Sequence, residues 1–410
     1  MKTKRYIRVG VTTMLVGSAL VLQGCANNVI TNISNSMTEE ITTEAQTSAD
    51  STYDSVEEKM DKLDVLIDNY FYFEEDQENE REYVYKGMVA GLGDPYSVYY
   101  SADEYKDLME KTEGSYYGIG VQVTQSMETK LITITKIFKN SPAQEAGLLP
   151  GDVIVKVGDR ELSDEDLTEV VTWIKGDEGT TVPIQVYRES EKDYIDFTVE
   201  RRNIENPTVE YEMLDNSIGY IAVSSFYEVT ADQFIAAMDD LDKKGAKGLI
   251  VDLRDNGGGL VSTASKMLDY ILSEGDLLYT RDKDGNIMDT ISTTDTHTYE
   301  KPVVVLINKN SASASEIFSG DMQDHGYKIV GEKSFGKGIV QRVFPLEDGS
   351  AVKLTIARYF TSNNRDIHEE GITPDYEVEQ PKELLTQVVV EHKDDVQLQK
   401  AIEVIAEQIK

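Results

Sequence analysis

"INKNSASASEIFSG", residues 307–320, sets Ser311, Ser313 and Ser315 at alternate positions between an apolar run and a helix-like stretch. The run leading into it, "KPVVVLI" (301–307), is apolar without alternation, as in a strand buried on both faces. "SIGYIAVSSF", "GLIVDLR" and "YKIVGE" read as further strands, with helical stretches "TADQFIAAMDDLDKK" and "SASEIFSGDMQD" between them. Strand alternating with helix predicts βαβ units, hence a largely parallel sheet in an α/β core. Ser313 precedes Glu316 by three, the spacing of a capping box. A serine at a helix start also sits beside unpaired N–H groups and the positive end of the dipole, which suits an oxyanion. A nucleophile needs a base, and the four histidines (297, 325, 368 and 392) lie in no G-x-S-x-G elbow. A buried lysine can serve if its pKa falls from about 10.4 by roughly 3 units, a cost of about 4 kcal/mol. Lys337, between glycines in the apolar loop "SFGKGIV", suits such a site.

Two glycine motifs flank this stretch. "DNGGGL" carries Asn256-Gly257-Gly258-Gly259 from a strand into a helix, where bare backbone can approach a ligand or simply turn tightly. Gly331, Gly336 and Lys337 match most of a phosphate-binding G-x-x-x-x-G-K loop. Gly338 stands where that loop needs a magnesium-binding Ser or Thr, which excludes nucleotide hydrolysis. "KDGN" (283–286) and "EDGS" (347–350) are hairpin turns.

Working outward, residues 116–203 change character to β-rich alternation with one helix, "SDEDLTEVVTWIKG", and a junction follows from Asn203 to Pro207. The N-terminus is basic ("MKTKRYIR"), then apolar for 14 residues ("VGVTTMLVGSALVL"), too short to favour a permanent span. "LQGC" follows, with the sole cysteine, Cys25; it resembles a bacterial lipobox, whose cysteine is lipidated and becomes the mature N-terminus. Residues 26–52 are Ser/Thr/Asn-rich and read as a flexible stalk. Net charge is −35 over 410 residues, which argues against a nucleic-acid partner and for a soluble surface. Apolar positions Met60, Leu63 and Ile67 near the start, with Ile402, Ile405 and Ile409 at the end, sit at helical spacing and predict dimerising helices.

Taken together, the segments resemble the carboxyl-terminal processing proteases, serine-lysine peptidases of family S41. "GLGDPYSVYY" is similar to the end of that family's N-terminal helical region. "YYGIGVQV" with "SPAQEAGLLPGDVIVKVGD" resembles its PDZ domain. "DLRDNGGGL", "NKNSASASEI" and "SFGKGIVQ" resemble its catalytic core, and "GITPD" its closing segment. The resemblance implies a multidomain α/β chain: a crotonase-like α/β protease core with an inserted PDZ domain and N- and C-terminal helical dimerisation elements. The expected divisions are a lipoprotein signal peptide (1–24), a stalk (25–52), an N-terminal helical region (53–110), the PDZ domain (111–204), the protease core (205–380) and a C-terminal helix (381–410). It implies Ser313 as nucleophile, Lys337 as general base and Gln341 orienting the ammonium. Gly258 and Ala314 would supply oxyanion-hole N–H groups. Gly118, Ile119, Gly120, Val121, Leu167 and Val171 would hold a substrate's C-terminus as an added strand. Expected partners are protein or peptide substrates with free C-termini, a second copy of the chain and the bacterial membrane through the Cys25 anchor. No metal or cofactor is implied. A PDZ scaffold that binds peptides on an inactive protease fold is the alternative.

Overall fold

The computed structural model describes residues 55–273, 275–294, 296–384 and 390–409. Cys25 and the segments expected to be a signal peptide and a stalk lie outside them. The chain divides into two units, 1–78 and 79–410. The first contains the helix Val56–Tyr70, capped at its N-terminus by Ser55 and without a buried residue. Among the described residues no helix is long and apolar enough to cross a membrane.

The centre of the second unit is a six-stranded sheet. Its order is Val209–Leu214, Ile218–Val223, Gly248–Asp252, Val303–Ile307, Lys328–Gly331 and Tyr376–Glu377, with only the first pair antiparallel. Side chains alternate along a strand, and here both faces are apolar. Val303, Val305, Ile307, Leu249 and Val251 join the cluster under the helices Thr230–Lys243, Val261–Ile271 and Ala314–Asp324. Val304, Leu306 and Ile250 face the C-terminal helix Val396–Gln408. That is why "VVVLI" shows no alternation.

The C-terminal helix departs from the expectation of a dimer face. Ile405 is 0% exposed, and Ile402 and Ile409 pack against the same cluster of their own chain. Its apolar stripe covers the second face of the sheet, which would otherwise lie bare.

A second sheet joins Val98–Tyr100, Ala351–Thr361, Asp276–Arg281 and Ile287–Ser292 in that order, with Ile339–Pro345 also paired to Ala351–Thr361. The β-rich insert has its own sheet, from the edge strand Val121–Gln125 to Asp193–Glu200, and its own core around Ile119, Ile134, Ile154, Val170 and Val186. Its entry and exit strands, Ser115–Gly118 and Arg202–Glu205, pair antiparallel. The ends of the insert therefore lie side by side.

Candidate active site

Three neighbouring parallel strands, Gly248–Asp252, Val303–Ile307 and Lys328–Gly331, run in one direction, so the loops after them emerge at one edge. Those loops are the glycine turn 254–260, the serine loop 308–313 and the lysine loop 332–338. The carboxyl ends of parallel strands are where open α/β sheets bind ligands.

The partners of the serine loop distinguish its three serines. Ser311 is buried; its hydroxyl donates to Leu253 O at 2.8 Å and accepts from Asn308 N–H at 2.9 Å. Ser315 donates to Asn256 O at 2.8 Å. Both fasten the loop to the glycine turn. The Ser313 hydroxyl has no bond to the glycine turn among the described residues; its neighbours are the first turn of the helix Ala314–Asp324 and Tyr359. Ser313 has φ 57° and ψ −117°, a region costing a non-glycine residue on the order of 1–3 kcal/mol. A strained strand-to-helix turn is the geometry that exposes a nucleophile.

Glu316 maintains that geometry. The carboxylate half of the expected capping box is present, Ser313 N–H donating to Oε2 at 2.8 Å. The same buried carboxylate accepts the Lys337 N–H at 2.8 Å, the Gly336 N–H at 2.6 Å and the Ser334 hydroxyl at 2.5 Å. One side chain thus ties the serine loop to the lysine loop. The closing segment buttresses the latter: Ser334 N–H donates to Ile372 O at 3.1 Å, and Glu369 N–H to Gly336 O at 2.8 Å. Gly338 has no room for a side chain, since a Cβ there would meet His368 N at 2.4 Å. Its glycine therefore has a packing reason.

Lys337 is half-buried. Burial, reinforced by the Lys353 charge, holds its ammonium below the usual lysine range against the pull of Asp94 and Glu316. Nζ lies over the Tyr96 ring, 4.5 Å from the centroid, a cation–π contact that favours the charged form. Among the described residues no hydrogen bond joins Lys337 Nζ to Ser313 Oγ. Gln341 sits beside a bulge of the strand pair and donates to Ile339 O at 3.3 Å, with no bond to the lysine. Tyr359, buried below, donates to the Lys337 carbonyl oxygen and also interacts with Ser313; burial raises its phenol far above its ordinary pKa.

Gly258, at φ 101°, packs directly on the serine: a Cβ would lie 2.8 Å from Ser313 Cβ and 3.0 Å from Ala314 N. Its own N–H donates to Asn256 Oδ1 at 2.9 Å, whereas the Ala314 N–H has no partner among the described residues. Asn256 is buried and also donates to Val223 O at 2.8 Å. Under the turn, Arg254 spans Asp252 (2.6 Å) and Asp395 (2.8 Å), linking it to the cap of the C-terminal helix.

In the insert, Val121 opens the edge strand, and the helix Leu167–Ile174 stands beside that strand through Gln125, which bonds Glu165 O at 2.7 Å and Leu167 N at 3.2 Å. Leu167 and Val171 are half-buried, while Val170 and Ile174 are core. Ile119 is buried, with its carbonyl accepting Ala143 N–H at 2.9 Å; Gly118 pairs with Arg202.

Sequence reasoning did not single out Asp94, Tyr96, Lys353 or Tyr359, and read Asn256 only as the start of the glycine turn and Glu316 only as a cap. Asp94 and Tyr96 lie in the "GDPY" turn, about 240 residues before Lys337 in the chain, so no local spacing links them.

The candidate site is thus a strained serine and a half-buried lysine at the carboxyl edge of a parallel sheet, in a core that carries a small β-domain inserted through a two-stranded ribbon. The model of peptidase family S41 matches residues 217–378, and that of the PDZ domain matches 118–199. Carboxy-terminal processing protease CtpB of Bacillus subtilis is 36% identical over 329 residues, spanning 79% of this chain and 68% of that protein. CtpA of the same organism is 36% identical over 326 residues, spanning 79% and 69%. A carboxy-terminal-processing protease of Bartonella bacilliformis is 38% identical over 301 residues, spanning 72% and 68%. The chain belongs to peptidase family S41, with the carboxy-terminal processing proteases, and carries a PDZ domain.

Proposed function

We propose that the chain is a serine endopeptidase of the carboxyl-terminal processing type, with Ser313 as nucleophile and Lys337 as general base. The observation that carries this is the contrast within the loop: two serine hydroxyls fasten it to the glycine turn, and the third is not bound there but sits on a strained turn tied through Glu316 to the lysine loop. Lys337 Nζ must swing from the Tyr96 ring and lose its proton. It then takes the Ser313 Oγ proton as Oγ adds to the scissile carbonyl carbon. The Ala314 N–H faces the developing oxyanion; Gly258 N–H joins it by turning from Asn256 Oδ1. The proton passes to the leaving amine, the C–N bond breaks, and an acyl-enzyme remains. Water, deprotonated by Lys337, releases Ser313 and the new carboxylate. Gln341 comes within reach of the ammonium only with the same rearrangement.

The PDZ domain would capture the substrate's C-terminus between Val121–Gln125 and Leu167–Ile174, with Gly118–Gly120 amides on the carboxylate. Lys175, just after that helix, pairs with Glu110 of the helix Ala102–Glu113 at 3.0 Å. That helix follows the Asp94–Tyr100 segment, so groove occupancy has a short path to Tyr96 and hence to Lys337. Lipidation at Cys25 would hold the enzyme outside the cytoplasm on the bacterial membrane. The exposed face of Val56–Tyr70, including Leu63 and Leu66, remains available for a second copy.

The test is casein hydrolysis by wild type, Ser313→Ala, Lys337→Ala and a variant lacking all four histidines. The first two variants should lose about a thousandfold or more, and the histidine-free protein far less. A folded histidine-free protein as inactive as Lys337→Ala would overturn the assignment.

A further inference from the structure

The strand Ala351–Thr361 has a gap along one edge. Ile339–Pro345 pairs along its other edge, from Arg358 to Ala351. On the gapped edge Val98–Tyr100 pairs with residues 351–353, and Asp276–Arg281 pairs with 358–361. Residues 354–357 pair with neither strand, but the Thr355 N–H already donates to Ser97 Oγ at 3.1 Å, so the bare stretch is residues 356–357. At about 3.3 Å per residue that stretch is about 7 Å long, enough to set the register of one or two residues of an extended peptide. A cleft of about 940 Å³ opens there, walled by the Gly93–Tyr96 turn, the Asp282–Gly285 turn and the lysine loop at Phe335 and Gly336. Tyr96 belongs to this wall and also holds Lys337 Nζ, so the cleft borders the proposed base.

Its lining combines apolar surface with charges of both signs: Arg281, Lys283 and Arg358, and Asp94, Asp282 and Glu369. Phe335 is 58% exposed, and Phe360 and Ile356 contribute further apolar surface. Arg281 lies over the Phe360 ring at 5.3 Å and bonds only neutral oxygens, Gly285 O at 3.1 Å and Asn364 Oδ1 at 2.8 Å. Lys283, exposed at the turn, has no carboxylate partner among the described residues. The carboxylates nearby are spent differently. Asp94 accepts from Ser97 and Thr355 hydroxyls, each at 2.6 Å, and from the Tyr96 N–H. Asp282 accepts from the Asp284 and Asn286 N–H groups at 2.9 and 2.8 Å. Glu369 lines the same cleft but, among the described residues, pairs with neither Arg281 nor Lys283. In a chain of net charge −35, two cations without an acidic partner beside an apolar cleft await a carboxylate from elsewhere.

We infer that this cleft receives an extended substrate segment flanking the scissile bond, and that Arg281 and Lys283 select an acidic side chain within it. The inference rests on the protease reading above. Added beside residues 356–357, the segment would use the open strand edge there for register and Phe335 and Phe360 for its apolar side chains. The cations then discriminate by charge, through KM more than kcat.

Matched peptides carrying Glu or Lys at one position, scanned through the residues on both sides of the scissile bond, test it. At one or more positions wild type should favour Glu by about 5-fold in kcat/KM, the scale of an exposed ion pair. The preference should shrink at high salt and vanish or reverse in Arg281→Glu and in Lys283→Glu. Lys283 is exposed on a turn, so its variant remains informative if Arg281→Glu fails to fold. A flat scan, or a preference that survives Lys283→Glu, overturns the inference. Ser313-dependent casein hydrolysis separates the two readings: casein cleaved with a flat scan removes only the cleft assignment, and casein uncleaved removes both.

Discussion

Four donors converge on the Glu316 carboxylate: the N–H groups of Ser313, Gly336 and Lys337, and the Ser334 hydroxyl. Buried donors and a buried charge are each costly alone, and the arrangement removes both costs at once. Glu316→Gln keeps the shape but turns an NH₂ group toward donors. We expect kcat to fall about 100-fold through misplacement of the two loops, with near-ultraviolet circular dichroism unchanged; a native-like kcat would show that the tie is dispensable. Lys353 acts on the proposed base from a distance. Its positive charge disfavours protonated Lys337, so removing it in Lys353→Met raises the Lys337 pKa. Less of the free base is then present at neutral pH, and the rising limb of the pH–rate profile moves to higher pH. A limb that stays put or moves down would mean that Lys337 is not the titrating base.

At the scale of elements, the helix Ala314–Asp324 carries a second buried acid. Asp321 accepts the Ser362 N–H at 2.8 Å with one oxygen, and its other oxygen has no partner. Burial, with the Asp324 charge adding to it and Ser362 and Arg365 opposing, pushes its carboxyl up from 3.8 to about 8. Between those values the folded protein holds a proton that the unfolded chain has released, so stability falls as pH rises through that window. Asp321→Asn cannot ionise. Melting temperatures should therefore converge near pH 4 and separate in favour of the variant as pH approaches 8; parallel curves would remove the effect from this residue.

For the whole molecule, the inserted domain and the core communicate in the proposed mechanism only if captured peptide favours the arrangement in which Lys337 leaves Tyr96. A free C-terminal carboxylate should then accelerate cleavage over the amidated chain. A coupling of about 1–3 kcal/mol corresponds to about 5- to 150-fold. Paired rates on free-acid and amidated forms of one peptide measure it, and equal rates with intact enzyme would reject carboxylate capture.

By itself the sequence determined what is local or periodic. "VVVLI" declared a strand covered on both faces; the alternating stretches of 116–203 declared a separate β-domain; Ser313-Ala-Ser-Glu316 declared a helix start. The motif order declared the family, because each motif is a short contiguous segment whose chemistry depends on its own residues. What only the tertiary structure decided depends on register and on who faces whom. Serines 311, 313 and 315 are equivalent as letters, and the partners that distinguish them, Leu253 and Asn256, come from another strand's loop. The helical spacing of Ile402, Ile405 and Ile409 is the same whether a helix covers its own sheet or a second chain; the bare even-numbered face of Val303–Ile307 decides for the sheet. Tyr96 and Lys353 reach Lys337 only because Val98–Tyr100 and Ile339–Pro345 pair on opposite edges of Ala351–Thr361. Hydrogen-bond register between segments far apart in the chain leaves no periodic trace in either segment, so a single sequence carries no sign of it.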